Sequence, residues 1–143
     1  MNDPNWIFYQ HDGPTEVDVM PRLVEEFPDF RPRWEKHLEG WEGKPAGHFN
    51  DITVFARFAL EDLYMPGKTD ELKRAFDLME YWLVKGSSGL QQLIQIGFFE
   101  DFQNFALGQK YTLEDFLPFL GPKSREAWDE VVRFWAGEGW NPR

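Results

Sequence analysis

Three histidines, His11, His37 and His48, are the side chains best suited to hold a metal or shuttle a proton. No two of them stand three or four residues apart, so no helix places a pair on one face. Neither HExxH nor an EF-hand loop occurs, and His11-Asp12 is a bare dipeptide without further spaced ligands. Nucleophiles are equally sparse. Cysteine is absent, and Ser87, Ser88 and Ser124 lie in no G-x-S-x-G elbow. Phosphate cradles of the P-loop or G-x-G-x-x-G kind are missing too.

Carboxylates are what the chain offers in quantity. They come as doublets: Glu25-Glu26, Glu61-Asp62, Glu100-Asp101 and Glu114-Asp115. Paired carboxylates do acid–base work only where a cleft drives their pKa values apart. Neighbours on a helix point about 100° apart, so a doublet normally splits into one solvated and one boundary residue. The plain reading is a solvated face. After it comes a surface that receives a basic partner, and third a carboxylate enzyme with or without a divalent metal.

Composition bears on this order. The formal charge is −10, with 25 acidic against 15 basic side chains. That balance argues against nucleic acid or anionic membrane as a partner and favours encounter with a basic protein. No apolar run approaches the ~18–20 residues of a membrane helix. The start, MNDPNWIFYQHD, lacks the positive region of a secretory signal. With no cysteine to oxidise, a cytoplasmic location is expected. No cofactor or metal is expected either.

The elements that would position these groups are helical. Ile52, Phe55, Ala56, Ala59 and Leu63 repeat at three and four, with Arg57 and Glu61 set as an i,i+4 pair. Leu72, Ala75, Phe76, Met79 and Leu83 do the same behind Asp70 and Glu71 in a first turn. Leu90, Leu93, Ile94, Gly97 and Phe98 follow, and Phe102 and Phe105 extend that face. Leu113 to Leu120 form a short helix, and Trp128, Val131, Val132 and Trp135 the inner side of the last. Two earlier helices are read over 17–27 and 33–41, the second carrying Trp34 and Trp41 on one face. Asn50, Thr69, Ser88 and Thr112 serve as N-cap candidates. Gly43, Gly67, Gly86, Gly108, Gly121 and Gly137 stand where helices should stop. Gly97, inside a helix, implies a close neighbour. No strand pattern of useful length appears beyond WIFY at 6–9.

The expected fold is all-α, a single domain of six or seven helices packed as antiparallel pairs, with an N-terminal arm (1–16) before the helical domain (17–143). Fourteen Phe and seven Trp supply its core.

Four segments carry a resemblance: HFNDITVFARFALEDLY, ELKRAFDLMEYWL, LQQLIQIGFFEDF and FLPFLGPKSREAWDEV. In this order, with Asp51, Arg57, Arg74, Glu80, Gln92, Glu100 and the Gly121-Pro122 turn as polar anchors, the chain resembles small bacterial helical proteins of the toxin-neutralising immunity type. The resemblance spans roughly residues 19–135. It implies a non-catalytic binding protein whose partner is a cognate toxin with a basic surface. The residues expected to meet that partner are Glu61, Asp62, Glu100, Asp101, Glu114 and Asp115 for steering, with Tyr64 or Trp140 as an aromatic anchor. The rival classes are the carboxylate enzyme and a regulatory or scaffold domain binding a host protein.

Overall fold

The computed structural model describes residues 12–137, and in them the chain is all-α. Among the described residues seven helices form one domain. A 3-10 turn, Glu16–Asp18, leads into α1, Val19–Glu26, and a second, Pro28–Phe30, leads into α2, Arg31–Glu39. Helix α3 spans 48–64, its last six residues, Ala59–Tyr64, wound as a π-helix. Helix α4 is Thr69–Lys85. Helix α5 spans 88–108 and widens into a π-helical stretch over Leu93–Phe99. The 3-10 helix α6, Leu113–Phe119, precedes α7, Pro122–Trp135.

The periodic positions named above fill the interior. Ile52, Phe55, Ala56, Leu72, Phe76, Met79, Leu93, Phe98 and Trp128 are all buried. Helix α5 is the central element, packing against α3, α4 and α7. The rings fall into two clusters. Phe27, Phe30, Phe55 and Phe58 meet between α1, α2 and α3. Phe76 collects Phe98, Phe99, Phe102, Phe119 and Trp128 around it. Phe55 and Phe98, with centroids 6.0 Å apart, join the two. Each such pair contributes about 0.5–1.5 kcal/mol beyond area burial.

Gly97 has the close neighbour its position implied. A Cβ there would lie 2.9 Å from Ile52 Cγ2 on α3. Glu80 of α4 makes an unlooked-for contact: its carboxylate accepts the backbone N–H groups of Lys123 (3.1 Å) and Ser124 (2.7 Å). A side chain from another helix thus caps α7, taking donors that would otherwise lack partners.

Several expectations need correction. The N-caps at the starts of α3, α4 and α5 are Gly47, Lys68 and Ser87, not Asn50, Thr69 and Ser88; Thr112 holds its place. Ser87 Oγ accepts the N–H of Leu90 at 3.2 Å. The glycines do mark helix ends: Gly86 is the C-cap of α4, Gly108 is the last residue of α5, and Gly121 follows the C-cap Leu120 of α6 while also serving as N-cap of α7. Trp41 lies beyond the end of α2 and is exposed. Trp135, expected on the inner face of α7, is also exposed, as is every residue from Arg133 to Gly137.

Candidate interaction surface

Of the acidic doublets, only Glu25-Glu26 splits into an exposed and a half-buried residue. Glu61-Asp62 and Glu100-Asp101 are half-buried throughout and Glu114-Asp115 is exposed throughout, contrary to the expected division. Glu61 and Asp62, at the π-helical end of α3, both engage Arg33 of α2. Its Nε and Nη2 donate to Asp62 at 2.8 and 2.9 Å, and Nη2 also reaches Glu61 at 3.0 Å. The bonds to Asp62 and Glu61 hold the guanidinium protonated still more firmly than usual, against the opposing effect of burial. Glu61 takes a further bond from Arg57 Nη1 at 3.0 Å, the pair expected from i,i+4 spacing. The Arg57 guanidinium stacks over Phe105 of α5, 4.2 Å from the ring centre.

Asp101 lies in the same α3–α5 seam, where Thr53 Oγ1 donates to its Oδ2 at 2.5 Å. Burial raises the pKa of its carboxyl, and the Thr53 bond works the other way. Tyr64 was expected as an exposed anchor. Instead its ring is half-buried against Tyr111 (5.1 Å) and Phe116 (4.7 Å). Burial, followed by Asp115 and Tyr111, raises its phenol pKa. Asp115 accepts the N–H of Thr112 at 3.3 Å, and Glu114 beside it is exposed. Trp140 falls outside the described residues.

Glu100 points elsewhere. It lines a groove of about 380 Å³ between α5 and α7, with Gln95, Ile96, Glu130, Val131, Arg133 and Phe134. Gln95 Nε2 donates to Glu130 Oε2 at 2.6 Å across this groove. Ile96 and Phe134 are each 46% exposed, and Trp135 is 40% exposed. Burial and then Asp101 raise the pKa of the Glu100 carboxyl, which pairs with no cation among the described residues.

The structure therefore brings Glu61, Tyr64, Asp101 and Asp115 to the α3–α5–α6 side, with Asp62 turned to α2 and Glu100 on the α7 side. Sequence reasoning missed Arg33, whose carboxylate partners lie 28 and 29 residues away. It also missed the pairing of His37 Nε2 with Asp51 at 2.8 Å. Asp51 is 2% exposed, and the same oxygen accepts the N–H of Ala46 at 3.0 Å, so the carboxylate fastens the start of α3 to α2. Among the described residues no cluster of three or more His, Asp or Glu is placed to hold a metal ion. Nor is any described helix long and apolar enough to cross a membrane.

Fold and surface together define an acidic, all-helical domain with carboxylates distributed over two sides. The chain belongs to the family described as Domain of unknown function (DUF7674), whose model matches residues 20–136. No curated protein and no solved structure matches it.

Proposed function

We propose that this protein is a non-catalytic binding protein, an immunity protein that neutralises a cognate toxin by stoichiometric association with the toxin's basic surface. The observation that carries the reading is how the charges are spent. Arg22, Arg33, Arg57, Arg74 and Arg125 are committed to carboxylates of the same chain. The 25 acidic side chains outnumber the 15 basic ones, so the net field of the surface is negative. Such a field raises the rate of encounter with a cationic protein roughly 10–10³-fold at low salt. Glu61 and Asp62 are already neutralised by arginines, so the steering falls mainly to carboxylates such as Glu100 and Glu114.

The test begins with capture of a partner on the full chain in its native host. The captured protein is then purified, and its activity is titrated against this one. Inhibition that is complete at one equivalent, with an association rate that falls steeply between about 20 and 500 mM salt, supports the proposal. A partner left active by an excess of this protein, or an association rate indifferent to salt, sinks it.

A further inference from the structure

We infer that the α5–α7 groove is the docking site for a short basic amphipathic helix of the partner protein. This rests on the binding function proposed above and names the place and chemistry of contact. The groove continues past Glu130 toward the start of α7. A second depression of about 440 Å³, lined in part by Leu83, Val84, Lys123 and Glu126, shares Gln95 and Glu130 with the first. Together they run along α7 from Lys123 to Phe134, about 16 Å at 1.5 Å per residue, or three helical turns. Apolar contacts stand along this length: Val84 and Leu83 at one end, Ile96 and Phe134 at the other.

Charge decides what sits there. Lys123 is already paired with Glu126 at 3.4 Å. Among the described residues Glu130 has only the neutral amide of Gln95 as its partner, and Glu100 has no cation. Arg133 is the remaining positive charge of the groove among the described residues, at one end. An occupant with lysine or arginine flanking an apolar stripe supplies what these two carboxylates lack. Backbone chemistry selects a helix over an extended peptide. The groove walls are helices, whose backbone groups are already bonded, so a strand laid there would leave its own N–H and C=O groups without partners.

The probe is a fluorescein-labelled 15-residue leucine–lysine peptide with leucines at i, i+3, i+4 and i+7, measured by anisotropy against the full chain. A scrambled peptide without the stripe and a leucine–glutamate version serve as comparisons. The lysine peptide should bind, and the double variant Glu100→Gln with Glu130→Gln should weaken it roughly 10-fold, as should Ile96→Ser with Phe134→Ser. Glu35→Gln, on the exposed face of α2 away from the groove, should leave it unchanged. All the altered side chains are at the surface, and thermal melts check that each variant folds.

Equal binding by the groove variants, by the scrambled peptide or by the glutamate peptide overturns the inference. So does a dimer that Phe134→Ser dissolves, which would make a second copy the occupant. Tighter peptide binding after removal of residues 138–143 also overturns it, in favour of the chain's own tail. A captured partner that still binds the groove variants at full strength refutes the groove and leaves the proposed function standing.

Discussion

Replacing Gly97 by alanine tests whether the packing of α3 on α5 is set by that one missing methyl. In an ordinary helix interior the change stabilises by about 0.5–1 kcal/mol, because glycine loses more backbone freedom on folding. Here the new Cβ would lie 2.9 Å from Ile52 Cγ2, 3.2 Å from Leu93 Cδ1 and 3.3 Å from Phe49 Cδ1. Phe49 is exposed and can swing away, but Ile52 and Leu93 are both fully buried and have little room to move. Overpacking of this kind costs about 1–3 kcal/mol. The net is a loss of roughly 0.5–2 kcal/mol, or a Tm lower by about 2–6 °C for a chain of this size. Gly108→Ala is the internal control: no atom lies within 4 Å of its Cβ position, so it should hold or raise Tm. Thermal unfolding followed by circular dichroism reads both. The cycle with Ile52→Ala sharpens the test, since removing Cγ2 removes the clash and the two substitutions should couple by at least ~0.5 kcal/mol. If Gly97→Ala raises Tm as Gly108→Ala does, or if the cycle is additive, the close approach of these helices is not what requires glycine.

Three more outcomes follow from the polar contacts. Glu80→Ala removes the acceptor for the first N–H groups of α7 and should cost about 1–2 kcal/mol in urea unfolding, with hydrogen exchange accelerated first at Lys123 and Ser124. Asp51→Ala leaves Ala46 N–H and the His37 ring without their acceptor and should cost about 1–3 kcal/mol; an unchanged urea midpoint would mean that the link between α2 and α3 contributes nothing. Glu100→Gln bears on pH. Its carboxyl pKa is raised in the folded state, so the folded protein holds that proton more tightly than the unfolded chain does. The native side chain therefore contributes stability when protonated, lost as pH rises through its folded value. The glutamine variant should melt higher than wild type near pH 7 and alike below about pH 4, where the unfolded carboxyl is also protonated. A variant that melts lower at pH 7 contradicts this.

Helix content and interior were legible from spacing alone, because apolar residues at three and four leave few alternatives once a core must be filled. The i,i+4 pair Arg57–Glu61 was equally local. What sequence could not supply was contact between distant segments. Arg33 finds its carboxylates from another helix, and Glu80 caps a helix that begins 42 residues later. Neither has a signature within its own neighbourhood. Trp135 shows a different failure. Periodicity placed it on the inner face of α7 with Trp128 and Val131. Spacing says nothing of how far along a helix the packing extends, and every residue from Arg133 to Gly137 is exposed. The caps slipped by one residue at Thr69 and Ser88 and by three at Asn50, where Gly47 and Lys68, which carry no capping side chain, hold the cap positions of α3 and α4. Among the candidate contact residues, chemistry was readable and orientation was not. Glu100 and Asp101 are neighbours in sequence, yet one faces α7 and the other bonds to Thr53 on α3.

That division separates residues that serve the fold from those available to a partner. Asp101 is drawn into the α3–α5 seam and answered by a hydroxyl. Glu100 is partly desolvated with no compensating cation among the described residues, so its charge lowers the stability of the free protein. A side chain kept at a stability cost is what a binding site requires when the missing cation arrives with the partner. The two roles then carry opposite signatures. Substitution at Gly97 or Glu80 should weaken the fold, and partner binding only through the fold. Glu100→Gln should strengthen the free fold at neutral pH while weakening association with the partner. A Glu100 variant that loses both together would place that carboxylate among the structural residues and take it out of the interface.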